Sequence, residues 1–335
     1  MIDVSVDIFA IVIHCDESIL GVEIGNGYSF EKVYLDALPH RDKLIDDYGI
    51  PNIEYKRSCL ADENGEFFIC LKKHDIFQIH GPDITSNTCC QINDPTCSEQ
   101  LAPYHDREIA YLYQAFSLLR LFQSGNIGYC DLFFDYNYKI FGIINHKTQF
   151  TSHSYGKNIF DDRKYFLSTP AVIECTQFCS NYMGAPFNLL KPSIDMFIWG
   201  LEQLDAATGL EKYTTALEMT LLEKSSQNKK KMLANRVAIL TGTTASDIIQ
   251  IYTNMLNCYS YRSESLHEGI RTNISIDELH NLEQYVRDVL KKCLQRCKNS
   301  SAINLTVTWN EVKRELVDDL KSGVTAAKTS GILPS

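Results

Sequence analysis

The hydrophobic residues of this chain change period part way along, and that change constrains the fold more than any other feature. Ile2, Val4, Val6, Ile8, Ala10 and Val12 fall at every second position, the spacing of a strand with one buried face. Beyond Pro192 the spacing lengthens to three and four residues. Ile194, Phe197, Ile198, Leu201 and Leu204 mark one amphipathic helix; Leu210, Tyr213, Leu217 and Leu221 mark a second. Leu233, Val237 and Leu240 fall on a third, and Ile248, Ile249, Tyr252, Met255, Leu256 and Tyr259 on a fourth. A fifth runs from Ser275 to about Lys298 through Leu279, Leu282, Val286, Val289, Leu290, Cys293 and Cys297. Ser275 and Glu278 have capping-box spacing. So do Thr308 and Glu311, which open a last helix expected to stop at Gly323. The pattern predicts an α+β N-terminal domain followed by an all-α helical bundle.

Within the first half, residues 1 to 104 read mostly as strands and loops. Phe67 to Leu71 is a short apolar run after the turn Asn64-Gly65. The segment from Gly21 to Tyr28 (GVEIGNGY) is not followed by a helix start, so it reads as a hairpin turn rather than a nucleotide loop. A helix is expected from Asp106 to Ser124, striped by Ile109, Leu112, Phe116 and Leu119 and stopped at Gly125. Aromatic strands follow between Tyr129 and Ile144. Residues 146–170 are polar and read as a connection, leading into a bridging helix from Ala171 to Met183. The expected divisions are 1–150 for the α+β domain, 151–190 for the connection and bridging helix, and 191–325 for the helical domain. A chain of 335 residues accommodates that division.

Charge divides the same way. The net charge is −10, which argues against nucleic-acid binding when taken over the whole chain. From Lys191 onward, however, eighteen Lys and Arg stand against seventeen Asp and Glu, a net of +1. The acidity belongs to the N-terminal half. Hydrophobic residues make up 44% and charged residues 22%, values of a soluble globular protein. No run of 18 apolar residues predicts a membrane span. The first residues, MIDVSVDIFAIVIHCDE, are acidic where a secretory signal has a basic start. The expectation is a cytoplasmic protein with no membrane partner, whose twelve scattered cysteines are reduced thiols.

One cluster in the first half, His74, His80, Cys89, Cys90, Cys97 and His105, is dense in soft ligands. It contains no C-x2-C pair and its spacings are irregular, so zinc stands beside a purely structural reading. Cys175 with Cys179, and Cys293 with Cys297, continue apolar stripes and read as core.

The chemistry-bearing stretch lies at the end of the fourth helix, NCYSYRSESLHEGI, where Arg262 and His267 stand five residues apart. The surrounding residues, Glu218, then KKKMLANRVAIL (229–240), YRSESLHEG (261–269) and ELHNLEQYVRDVLKKCL (278–294), resemble the HEPN superfamily, and within it the ApeA-like HEPN group of prokaryotic defence proteins. The resemblance covers about residues 194–294. It keeps Arg236, Ala238, Arg262, Ser263 and His267. It departs at Glu268, which separates His267 from Gly269, and at Ser263, where many active members carry Asn, Asp or His. The resemblance implies metal-independent endoribonuclease activity with no cofactor, and a homodimer that pairs the motif helices. It also implies a toxin-like role in antiviral defence. The alternatives are a non-catalytic HEPN module for dimerisation or docking, and the toxin half of a pair with a nucleotidyltransferase antitoxin. In either case the acidic N-terminal half is the expected contact for a protein trigger or antitoxin.

The residue types suit RNA cleavage. Attack by the RNA's own 2′-OH needs a proton moved off that hydroxyl, which histidine does near neutral pH. It also needs charge held on the phosphate, which arginine does with paired N–H groups. On one regular helix, side chains five residues apart diverge by about 140°. Convergence therefore asks for a helix end or a second copy. The competing reading makes Arg262 a helix-end ion pair answering Glu264 or Glu268. Arg236 is either a surface residue or an inward support for the motif, in company with Ser263 and Glu268. Glu218 sits one position off its helix's apolar stripe, which suits a solvated or interhelical role. Lys229, Lys230 and Lys231 are either a solvated helix start or a phosphate-tracking group for RNA.

Overall fold

The structure is a computed structural model, described over residues 1–40, 67–80, 95–140, 143–151, 163–203, 205–223, 228–268 and 274–334. The described residues divide into two compact units, with the break between Ser180 and Asn181.

The N-terminal unit is a five-stranded antiparallel sheet in the order β2-β3-β1-β4-β5, with β1 Ile2–Ile13, β2 Ser29–Tyr34, β3 Phe67–Ile79, β4 Gly128–Ile140 and β5 Ile143–Thr151. β1 is central, paired antiparallel to β3 and β4. Its first half alternates, with Val4, Val6 and Ile8 buried and Asp3 and Asp7 exposed. Its second half, Phe9–Ile13, is buried on both faces, and there the sequence is a continuous apolar run. On one face helix α1 (Pro95–Phe122) packs through Phe116 against Phe30 and Tyr129. On the other, Phe9, Ile11, Ile13, Phe68, Cys70 and Phe133 form a second apolar cluster, against which Phe150 packs.

Several boundaries differ from the sequence expectation. α1 begins at Pro95, so the first ten residues or so of the helix lie in a stretch expected to be strand and loop. Proline is compatible with a first helical turn, and Leu101 and Tyr104, buried to either side of Pro103, anchor the turn that the second proline weakens. β3 runs thirteen residues rather than five, because its second half places Lys73 and Asp75 among the inward positions and so lacks an apolar signature. The segment from Gly21 to Tyr28 is a turn but not a hairpin, since β1 and β2 are separated by β3. Gly25, Asn26 and Gly27 all have positive φ, and a Cβ at Gly25 would lie 2.8 Å from the Tyr111 hydroxyl. The expected connection over 146–170 is partly sheet: β5 extends to Thr151, and Tyr165 is fully buried. Tyr165 forms a bridge to Cys15, donates its backbone N–H to the His14 carbonyl (2.7 Å) and its hydroxyl to the Leu119 carbonyl (2.9 Å). Helix α2 (Thr169–Tyr182) forms where a helix was expected. The Asn64-Gly65 turn lies outside the described residues.

Among the described residues the C-terminal unit holds six helices: α3 Ala185–Leu201, α4 Ala206–Leu221, α5 Lys229–Thr241, α6 Ala245–Glu268, α7 Ile276–Ile303 and α8 Trp309–Thr329. Most of the stripes read from the sequence lie in its core, with Phe197, Leu217, Leu233, Met255, Val286 and Leu290 buried, but in α6 Ile249 is 48% exposed and Leu256 half-buried, and the buried stripe there runs through Ile251, Tyr252, Met255 and Cys258. Both capping boxes form, at Ser275/Glu278 and Thr308/Glu311. Two ends differ. α3 starts at Ala185 and carries Pro192 internally, with Pro186 in its first turn. α8 passes through Gly323 and ends at Thr329; a Cβ at Gly323 would lie 2.9 Å from Ile239, so this glycine serves close approach to α5 rather than a stop. Cys175, Cys179, Cys293 and Cys297 are all buried, as expected of core residues.

Candidate functional site

The motif helix α6 is tied to α4, α5 and α7 by side chains between Asn254 and Arg262. Asn254 Nδ2 donates to the Tyr285 hydroxyl of α7 (2.9 Å), and the Tyr261 hydroxyl donates to Glu278 Oε1 at the start of α7 (3.2 Å). Lys230, in the first turn of α5, donates to the Ser260 hydroxyl. Toward α4, the Tyr259 hydroxyl and Arg262 both meet Glu218. These contacts are polar because the apolar stripe of α6, with Ile251, Tyr252, Met255 and Cys258 buried, faces the bundle interior one turn earlier. Burial, aided by Glu278, pushes the Cys258 thiol up to about 12, so it is no nucleophile at neutral pH.

Arg262 Nη1 donates to Glu218 Oε1 (3.0 Å) and Nη2 to Oε2 (3.4 Å); both side chains keep 18% exposure. Tyr259 donates to the same Oε1 (2.9 Å), and the guanidinium sits 5.5 Å from the centre of its ring. Burial, then Glu218, raises the Tyr259 pKa, which keeps its hydroxyl a donor. Arg262 Nε is shielded from solvent and has no hydrogen-bond partner among the described residues. Among the described residues the partner of Arg262 is therefore Glu218, 44 residues away, rather than Glu264 on its own helix. A long-range carboxylate offers the better grip because it approaches the guanidinium head-on from a facing helix.

His267 lies on the same unbroken helix as Arg262, so the divergence of about 140° holds for their directions from the axis. The side chains of His267 and Glu268 lie outside the described residues, as does Gly269. Ser263 is exposed. Arg236 is buried and inward: Nη1 donates to the Leu221 carbonyl and Nη2 to Glu223 Oε2 (3.2 Å). Lys313 donates to the Met219 carbonyl (2.6 Å). Two cations thus cap the C-terminal end of α4, where the helix dipole favours them, and they steady the helix that carries Glu218. Of the three lysines, Lys229 and Lys231 are exposed and only Lys230 makes the contact with α6. Tyr252 and Met255 are buried inside the bundle and Tyr259 is engaged with Glu218, so these three residues offer no apolar seam to a second copy.

The described histidines of the soft-ligand cluster do not converge. His74 lies on the sheet face away from α1 and pairs with Asp7 (2.7 Å), whereas His105 stands on α1 against Phe134. The backbone N–H of His80 donates to Gln100. Cys89, Cys90 and the Cys97 side chain lie outside the described residues. Among the described residues no group of three or more His, Cys, Asp and Glu is arranged to hold a metal ion.

Sequence reasoning missed a buried ionic network in the N-terminal unit. Glu108 of α1 is fully buried and accepts from Asn26 Nδ2, the Tyr28 hydroxyl and Lys73 Nζ, each at 2.9 Å, and from Arg107. Lys73 also reaches Asp75 (3.3 Å), which accepts from the Tyr104 hydroxyl (3.0 Å). Burial and then Glu108 push the hydroxyls of Tyr28 and Tyr104 far above their ordinary range, so both stay donors. The signal available in the sequence was Lys73 and Asp75 at alternate positions of β3, on the side that faces α1.

No helix of the described residues is long and apolar enough to cross a membrane. No family model, characterised protein or solved structure matches this chain.

Proposed function

We propose that the helical unit is a HEPN-type domain that cleaves RNA without a metal ion, with Arg262 and His267 as its reacting groups. The observation that carries this reading is the state of Arg262. It is held rigidly at the end of a fixed helix, partly exposed, with one donor unsatisfied. In the proposed reaction His267 takes the proton of a 2′-OH, and that oxygen attacks the adjacent phosphorus. The bond to the 5′-oxygen breaks, and the leaving oxygen is protonated to a 5′-hydroxyl. Arg262 holds the charge that gathers on the phosphate. The other product is a 2′,3′-cyclic phosphate. RNA, including tRNA or mRNA, is the substrate class. The cellular role is that of a toxin-like antiviral effector in the cytoplasm, with the acidic N-terminal unit as receiver of a protein trigger. A homodimer that places two motif helices about one axis completes the site, by a seam other than Tyr252 and Met255.

The test is a gel of total RNA and tRNA incubated with purified wild type, His267→Ala and Arg262→Ala in excess EDTA. Wild-type cleavage persists in chelator and spares DNA, and each variant loses at least about a hundredfold in rate. Near-wild-type cutting by either variant, or loss of cutting in chelator, removes the reading.

A docking module is the second reading, favoured by the occupation of both Arg262 Nη atoms by Glu218. In that case Arg262 is a structural strut, and expression of wild type and of His267→Ala slows growth equally or not at all.

A further inference from the structure

The start of α5 carries three consecutive lysines, Lys229 to Lys231, and none of them meets a carboxylate among the described residues. Elsewhere in the helical unit Lys191, Lys212, Arg236, Arg296 and Lys321 each have one at 2.7 to 3.2 Å. Lys229 and Lys231 are exposed, and the half-buried Lys230 donates to a neutral group, the Ser260 hydroxyl. That hydroxyl gives its own proton to the Leu256 carbonyl (3.1 Å), so it offers Lys230 only a lone pair. The charge of the row is left unanswered, and an ammonium has three donors to give.

Consecutive helical residues diverge by about 100°, so Lys229 and Lys231 leave α5 on either side of Lys230. The three form a row across the helix end, open to solvent at both flanks, with its middle member fixed against α6. Seven residues separate Ser260 from His267 on the same unbroken helix. Their directions from the axis therefore differ by about 20°, against about 140° for Arg262 and His267. The row thus meets α6 on the side where the His267 backbone lies. Glu264 is exposed one turn beyond Ser260 and does not pair with Lys230, so three cations face one described carboxylate of α6 on that side. We infer that this row is the track for the substrate's backbone: Lys229 and Lys231 bind phosphates of an RNA strand flanking the one to be cut, and Lys230 sets their distance from the motif helix. This rests on the proposed reading of the helical unit as acting on RNA. No internal ion pair has to break before a phosphate binds here, whereas Lys191 or Lys321 must first give up a carboxylate. Contacts to phosphate carry no sequence information, so the track is indifferent to base sequence.

The experiment titrates the full chain into a short fluorescent 2′-O-methyl RNA, which cannot cyclise, and reads anisotropy over a range of salt concentrations. The double variant Lys229→Gln/Lys231→Gln weakens binding about tenfold or more, and the slope of log K against log salt becomes shallower by about 1.4, at about 0.7 per lost phosphate contact on a single strand. Arginine at both positions keeps the charge and restores binding. The control Lys191→Gln/Lys321→Gln removes the same charge from paired lysines and changes the affinity less than about twofold. Wild-type affinity in Lys229→Gln/Lys231→Gln overturns the track, as does a control that weakens binding equally, because net charge then accounts for the effect. Displacement of the RNA by an oligo-aspartate as readily as by unlabelled RNA overturns the phosphate assignment in favour of an acidic protein partner. A protein that cuts RNA while the double variant binds and cuts like wild type leaves the ribonuclease reading standing without the track. One that binds the RNA through these lysines and cuts nothing leaves the track standing without the ribonuclease reading.

Discussion

Each half of the chain is organised around one carboxylate brought in from a helix, and the two differ in how completely they are answered. Glu108 in the sheet unit has no exposure and accepts from Asn26, Tyr28, Lys73 and Arg107, and its main cation is itself shared with Asp75. Two cations stand against two anions there. Glu218 in the helical unit is partly exposed, accepts from one arginine and one tyrosine, and its arginine keeps a donor unsatisfied. A closed network is what a fold needs to carry charge through its interior. An open one, at the end of a pinned helix, is what binding needs. The contrast separates structure from candidate chemistry more cleanly than the residue types do, since both centres are built from Glu, Tyr and a basic side chain.

The largest effect should come from breaking the closed network. Lys73→Met leaves Glu108 and Asp75 facing each other without their shared cation, a loss of about 3–5 kcal/mol by the usual cost of orphaning a buried charge. Urea unfolding followed by circular dichroism measures it. A cost below about 1 kcal/mol would mean that Arg107 and water carry Glu108, and the contrast between the two centres would dissolve.

Breaking the open pair is expected to do less to stability and more to activity. Arg262→Ala removes charge-assisted bonds from a half-exposed carboxylate that keeps Tyr259, a cost of about 1–2 kcal/mol. The same variant is the one expected to abolish RNA cleavage. If it destabilises the chain as much as Lys73→Met does, Arg262 is a strut and the docking reading gains.

Ser275→Ala comes next, at about 1 kcal/mol, the ordinary worth of a helix N-cap. It matters because Glu278, the other half of that capping box, also receives the Tyr261 hydroxyl from α6. Amide hydrogen exchange should show faster opening at the last turns of α6 as well as the first turn of α7. Exchange confined to α7 would show that the capping box does not brace the motif helix.

The helical unit was largely legible from sequence because its stripes are long and its caps are local. Ser275, Glu278, Thr308 and Glu311 carry their signal within four residues. The sheet unit was less so. Lys73 and Asp75 hid half of β3, since burial of a charge depends on partners such as Glu108 that lie 35 residues away. Tyr165 was read as linker for the same reason: its partners, His14 and Leu119, are remote in sequence. At the candidate site the partner of Arg262 was sought on its own helix, whereas the structure supplies Glu218. Spacing exposes neighbours one turn away and says nothing of a carboxylate on the facing helix.

The smallest effect, and the one that compares the two units directly, is their order of loosening in acid. In the helical unit Glu278 is held below its ordinary 4.5 by the backbone N–H and hydroxyl of Ser275 and by Tyr261, and Glu223 by Lys321 and Arg236. In the sheet unit, Asp75 is buried enough to raise it, yet the Tyr104 hydroxyl and Lys73 hold it below 3.8. All three are carboxylates with depressed folded values. Their contribution is therefore present above the unfolded value and is lost as pH falls through the folded one. The helical unit begins to lose its share below about pH 4.5 and the sheet unit's Asp75 only below about 3.8. Glu223 is exposed and Glu278 lies near the surface, half-buried, so solvent screening keeps each contribution under about 1 kcal/mol. Both tryptophans, Trp199 and Trp309, belong to the helical unit, so their fluorescence reports that unit alone. Between pH 5 and 3, the urea midpoint read by tryptophan should fall first, ahead of the slowing-exchange core of β1 and β3 read by hydrogen exchange; Glu278→Gln should flatten the tryptophan response. A sheet core that loosens first would place the weaker electrostatic design in the closed network, and the comparison between Glu108 and Glu218 would have to be reversed.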